Sequence, residues 1–211
     1  MREWLLGLAL IALGAPLMID DAAAQAGELT LERLFASPHL AGTTPRKLTL
    51  SPDGKFVTLL RNRADEKERF DLWAMDTRTG QWRMLVDSKK LGTGAAVSGA
   101  EKMQRERAGI GGTRGIVSYD WSADSQSVLV PLEGELYLAR LDGRVHKLAA
   151  AAGPKLNAVI SPSGRFASYV QDQNLVVMDL ASGTPKRVTE DGAGTVHWGE
   201  AEFVAQEEMD R

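Results

Sequence analysis

The chain has 211 residues, a formal net charge of −3 and no cysteine. That length allows one domain or slightly more with a real core, and the absence of cysteine excludes a disulfide framework. Mild acidity without a basic stripe excludes a nucleic-acid footprint. His39, His146 and His197 lie far apart, with no carboxylate at ligand spacing, so neither a metal nor another cofactor is expected.

In chain order, the first expected element is an export signal. Arg2 precedes the apolar run Trp4 to Leu13, and Ala22-Ala23-Ala24 offers a small-residue cleavage site before Gln25. The competing reading is a retained anchor. Gly7, Gly14 and Pro16 interrupt the run, Asp20-Asp21 ends it, and it is short for a span of about 20 apolar residues. Residues 1–24 are therefore read as a signal peptide, with a periplasmic product and no stable membrane span after cleavage. Residues 25–45 form a lead-in segment in which Glu28 to Pro38 (ELTLERLFASP) reads as a short helix.

Three stretches then resemble one another. The first begins RKLTLSPDGKFVTLLR at Arg46 and continues FDLWAMDTRTGQWRMLVD from Phe70. The second begins IVSYDWSADSQSVLVP at Ile116 and continues GELYLARLDGRVHKLA from Gly134. The third begins LNAVISPSGRFASYV at Leu156 and continues NLVVMDLASGTPKRVT from Asn174. Each reads as strand, turn, strand, loop, strand, turn, strand. The turns are SPDG (Ser51 to Gly54), SADS (Ser122 to Ser125) and SPSG (Ser161 to Gly164). The second lacks both Pro and Gly and is expected to be the least regular.

Strands grouped in fours at a period near 40 residues indicate a β-propeller. A plain sandwich also uses short strands, but the recurrence of one unit after each turn favours the propeller. Ser122 and Ser161 are 39 residues apart, whereas Ser51 and Ser122 are 71 apart. The excess marks an insertion from about Ser88 to Gly115, whose middle, Ala100 to Ala108 (AEKMQRERA), is rich in helix formers. Trp73, Trp121 and Trp198 are expected to pack between blades. The fold class is thus all-β: a partial propeller of about three four-stranded antiparallel blades plus the start of a fourth, with a helical insertion and a terminal helical turn. Three blades do not close a ring, so residues 46–211 read as an incomplete propeller and the chain as truncated.

The last eleven residues, AEFVAQEEMDR, set Glu207 beside Glu208. Adjacent carboxylates repel, so their convergence asks for a cation. Neighbours on a strand face opposite ways, and neighbours on a regular helix do not share a face. A short helical turn or helix end over Ala205 to Met209 would bring them together. Taken alone, the pair also fits a solvated acidic turn, and Glu101 with Arg105 fits an ordinary surface pair on a helix.

TLERLFASPHLAG, SPDGKFVTLLR, RFDLWAMDTRTG, EKMQRERAG, GIVSYDWSADS, QNLVVMDLASG and AEFVAQEEMDR together resemble the N-terminal propeller of bacterial dipeptidyl peptidase IV. The resemblance implies an eight-bladed propeller followed by an α/β-hydrolase domain with a Ser-Asp-His triad. It also implies release of dipeptides from peptide N-termini, mostly after Pro or Ala. Glu207 and Glu208 match the family's double glutamate, which holds the substrate's free α-ammonium. Arg105, or alternatively Arg107, matches the arginine that supports those glutamates and the substrate carbonyl. Members of the family often dimerise, through surfaces largely outside this span.

The chemistry agrees with that resemblance. A peptide N-terminus titrates near pH 7.7–8.0 and is largely charged at neutral pH, and two carboxylates accept two of its three N–H donors. Capturing the amine at a fixed distance from a nucleophile measures length. No G-x-S-x-G elbow occurs in the sequence, so catalytic residues are expected in an α/β-hydrolase domain absent from this span, and the span alone is expected to be inactive. The alternative is a non-catalytic periplasmic propeller that binds or scaffolds.

Overall fold

The computed structural model describes residues 29–36, 40, 42, 44–148 and 153–209. The expected signal peptide, 1–24, lies outside the described residues. Among those described, no helix is long and apolar enough to cross a membrane.

Helix α1 (Leu31–Phe35) opens the described chain, with Thr30 Oγ1 accepting the Arg33 N–H at 3.1 Å as its cap. The first sheet follows as β1 (Arg46–Leu50), β2 (Phe56–Asn62), β3 (Arg69–Asp76) and β4 (Trp82–Val86). The insertion supplies α2 (Ser88–Leu91), α3 (Gly99–Arg107) and β5 (Arg114–Gly115). The second sheet is β6 (Asp120–Trp121), β7 (Ser127–Leu132), β8 (Glu135–Arg140) and β9 (Val145–Lys147). The third is β10 (Leu156–Ile160), β11 (Phe166–Gln171), β12 (Asn174–Asp179) and β13 (Thr184–Arg187). An isolated bridge between Ala193 and Val196 and helix α4 (Phe203–Glu207) complete it.

Each sheet is a sequential antiparallel meander, the arrangement of a propeller blade. Blade 1 has an addition that the repeats do not announce: β5 returns from the insertion and pairs parallel with β3 at Arg69 and Phe70. Gly115 permits that return. Its φ is +71°, and a Cβ there would lie 2.5 Å from the Phe70 carbonyl oxygen.

The blades stack through β7, whose side chains alternate between two cores. Val128, Val130 and Leu132 join Leu60, Phe70 and Leu72 of blade 1, while Leu129 joins Tyr169 and Met178 of blade 3. The period-two alternation of a strand makes one central blade serve both neighbours. Polar bonds tie the blades as well. Trp121 Nε1 donates to Thr58 Oγ1 at 2.9 Å, Ile160 N–H to Asp120 Oδ2 at 2.8 Å, and Asp53 N–H to Ser125 Oγ at 3.0 Å.

The blade-opening turns share one hydrogen-bond plan. The leading serine hydroxyl accepts the N–H five residues on, from Phe56, Ser127 and Phe166 at 3.0, 3.0 and 3.1 Å. The fourth residue is left-handed: Gly54 at φ +73°, Ser125 at +58° and Gly164 at +69°. The second turn is therefore as regular as the others, against expectation. Ser125 sits in a conformation that disfavours residues with a Cβ, and its hydroxyl meanwhile binds blade 1. Blades 1 and 3 also repeat a bulge in their first strands, with Lys47 at φ +49° and Asn157 at +51°.

Of the tryptophans, Trp121 packs between blades as expected. Trp73 is half-buried under the Arg61 guanidinium, 5.0 Å from its ring centre. Trp198 is exposed and donates to Asp191 Oδ1 at 2.8 Å. It does not sit between blades, because the segment bearing it follows β13 outside the three sheets.

Two predictions follow from the turns. Ser125→Ala loses the inter-blade bond and keeps the left-handed backbone, and is expected to cost about 1 kcal/mol or more in urea unfolding. Ser125→Gly loses the same bond but removes the backbone cost, so its loss should be smaller. Equal losses would refute the compensation. The second prediction concerns acid. The Ser51 hydroxyl, foremost, holds the Asp53 carboxyl down at about 2, and Arg144 does the same for Asp142. Carboxyls depressed on folding contribute stability that is present above the unfolded pKa and lost as pH falls through the folded one. The urea midpoint should therefore decline between about pH 4 and 2, with a shallower decline in Asp53→Asn and Asp142→Asn.

Candidate functional site

Helices α3 and α4 meet at the site. The α3 sequence GAEKMQRER starts at Ser98, whose hydroxyl accepts the Glu101 N–H at 3.1 Å. Glu202 caps α4, its carboxylate accepting from Val204 N–H at 2.9 Å and Ala205 N–H at 2.8 Å. A five-residue helix is marginal by itself, and α4 leans on α3. Arg107 Nη1 donates to Gln206 Oε1 at 3.0 Å, and its guanidinium lies 5.2 Å from the centre of the Phe203 ring.

Glu207 closes α4 and Glu208 follows as its C-cap. Both are exposed, and neither side chain has a hydrogen-bond or ion-pair partner among the described residues. The double glutamate thus lies at a helix end, where a helix's exposed carbonyls favour cations over anions.

The two arginines differ in their surroundings. Arg107 reaches the helix that bears the glutamates. Arg105 turns inward: its Nε donates to Glu101 Oε1 at 3.1 Å, its Nη2 to the same oxygen at 2.5 Å, and its Nη1 to the Thr113 carbonyl at 2.7 Å. The i, i+4 pair forms as its spacing allows, but in the interior, with side chains 7 % and 12 % exposed. Spacing gives the pair; only packing buries it.

Beside that pair lies a cavity of about 460 Å³, bounded by the first strands of all three blades, by α3 and by Gln206 of α4. Lys155 lies in its wall, fully buried, bonded to Glu135 Oε2 at 2.9 Å and to the Gly153 carbonyl at 2.7 Å. Tyr119 also lines it and donates to the Lys47 carbonyl. Burial pushes the Tyr119 phenol above its usual range and keeps it a donor. Sequence reasoning missed Glu101, Gln206 and Lys155 as members of this site, because only tertiary packing brings them to one cavity wall. No group of three or more His, Asp or Glu able to hold a metal occurs among the described residues.

The family model for the dipeptidyl peptidase IV (DPP IV) N-terminal region matches residues 111–211. Over that stretch, just under half of the chain, the sequence is similar to that region. The matched residues include Glu207 and Glu208 and begin after Arg105 and Arg107. Among solved structures, TolB from Acinetobacter baumannii is 16 % identical, with 70 % of this chain and 33 % of that one covered at a TM-score of 0.46. Dipeptidyl peptidase 4 from Porphyromonas gingivalis is 20 % identical, with 70 % of this chain and 20 % of that one covered at a TM-score of 0.44. The chain thus covers a third and a fifth of these two proteins.

The buried pair makes a test. Arg105→Ala leaves the Glu101 carboxylate buried without its countercharge, an expected loss of about 3–5 kcal/mol in urea unfolding. The double variant Glu101→Leu/Arg105→Leu should lose far less. A double variant as unstable as Arg105→Ala would contradict a desolvated ion pair.

Proposed function

We propose that this chain is the substrate-recognition portion of an exported, periplasmic serine dipeptidyl peptidase that releases Xaa-Pro and Xaa-Ala dipeptides from peptide N-termini. Glu207 and Glu208 hold the free amine of the substrate. Arg107, through Gln206 and Phe203, steadies the helix that presents them, and Arg105 faces the neighbouring cavity. The observation that carries this reading is the family match extending through a pair of exposed carboxylates at the end of α4 that have no partner among the described residues.

The mechanism assigned to the chain is positional. An ammonium seated on the two carboxylates donates to both by charge-assisted bonds. The scissile bond then falls a fixed two residues away, wherever the nucleophile lies. A blocked N-terminus lacks the charge and keeps only one of the three N–H donors, so acylated peptides are rejected.

The test uses the protein expressed from its complete coding sequence and chromogenic Xaa-Pro substrates. Glu207→Gln and Glu208→Gln should each lower kcat/KM by about 10²-fold or more, the scale of removing one partner of a desolvated charge pair. N-acetylated substrates should remain uncut by the wild type. Near-normal activity in either variant removes that glutamate from the site. A protein that binds peptides but releases no dipeptide would favour a binding or scaffold module instead.

A further inference from the structure

A closed circuit of hydrogen bonds joins α3, blade 3 and the segment that bears α4. Gln104 Nε2 donates to Asn157 Oδ1 at 2.6 Å, and Asn157 Nδ2 donates to the Gly199 carbonyl at 2.9 Å. Further along, the Ala201 carbonyl accepts from Gln206 Nε2 at 2.6 Å, and Gln206 Oε1 accepts from Arg107 Nη1 at 3.0 Å. Gln104 and Arg107 are neighbours on one face of α3, at i and i+3, so the circuit closes on the helix where it began. Asn157, in β10, is its one member from a blade.

The backbone alone does not call for asparagine at this position. Asn157 sits in the β10 bulge at φ +51°, and Lys47 occupies the matching bulge of blade 1 at +49°. Bridging Gln104 and Gly199, by contrast, takes one acceptor and one donor on a short side chain, which is what an amide offers. Gly199 is seated against blade 3: its φ is +73°, and a Cβ there would lie 2.8 Å from Val170 Cγ2. The segment leading to it is held as well. Asn174, 2 % exposed, donates to the Gly192 carbonyl at 3.2 Å and accepts the Gly192 N–H at 2.9 Å and the Thr189 hydroxyl at 3.1 Å. The Gln173 carbonyl then accepts the Trp198 N–H at 2.9 Å.

We propose that Asn157 is a positioning residue: it fixes the spacing between α3 and the segment leading to α4, and so the place of Glu207 and Glu208 over blade 3. The inference rests on the reading of the chain as part of a dipeptidyl peptidase. A helix as short as α4 does not hold itself, so its placement follows from what its leading segment touches. Asn174 fixes the start of that segment and Asn157 its end, at Gly199, shortly before Phe203 opens the helix. A shift of α4 moves both carboxylates relative to the nucleophile, and a misplacement of about 1 Å is enough to cost about 10²-fold in rate.

The experiment follows Gly-Pro-p-nitroanilide hydrolysis by the protein from its complete coding sequence, with Asn157→Gly as the variant. Glycine removes both amide bonds but also the cost of a left-handed φ, so Tm should hold or rise. kcat/KM should nevertheless fall about tenfold, the scale of the two lost bonds. A merely structural residue would lose activity only as it lost stability. The Glu207→Gln background gives a second readout. Because Asn157 acts through the glutamates, Asn157→Gly should cost less than about threefold there. Unchanged kcat/KM in Asn157→Gly overturns the proposal, as does a loss that accompanies a lowered Tm or a full tenfold loss in both backgrounds. If the wild type cuts no Xaa-Pro substrate, the dipeptidyl peptidase reading fails. The positioning is then judged by amide hydrogen exchange: α4 should exchange faster in Asn157→Gly than in the wild type, and equal rates overturn it.

Discussion

Burial of β7 on both faces is the constraint from which the rest of the structure follows. Val128 and Val130 face one core and Leu129 the other, so blade 2 cannot be reoriented without exposing apolar surface on one side. That fixes where the first strands of the three blades converge, and their convergence creates the cavity beside α3. The polar ties from Asp120, Trp121 and Ser125 extend from the same blade to both neighbours. They set the angular register of blades whose apolar contacts alone are non-directional.

The insertion shows how a helical element is built onto such a scaffold. The chain leaves blade 1 after β4 and forms two helices. It returns as β5 on β3, where Gly115 fits against a backbone oxygen that excludes any side chain. The return holds α3 over the cavity, and α3 in turn receives α4. The two arginines of the R-E-R segment are thereby separated in purpose. One is locked inside by Glu101 and the Thr113 carbonyl, and the other braces the glutamate helix.

Much of the fold was legible from local rules. The leading serines and left-handed fourth residues of the turns mark where each blade begins, and strand alternation marks the core. Ser125 is where the composition rule failed. Lacking Gly, the second turn still adopts the same conformation, because its serine hydroxyl binds across to blade 1, a partner 72 residues away in sequence. Trp198 departs for the opposite reason: a large aromatic ordinarily packs in a core, yet the segment beyond β13 leaves it exposed.

By itself the sequence determined the blade repeat, the position of the insertion, the helical turn at the double glutamate and the family resemblance, now matched over residues 111–211. These rest on backbone preferences and short-range patterns, which act within a few residues. Only the tertiary structure decided that Glu101 and Arg105 form a buried pair, that Arg107 meets α4, and that Lys155, Gln206 and the first strands of three blades share one cavity. Each of these depends on which distant side chains are excluded from water together, and no local pattern encodes that.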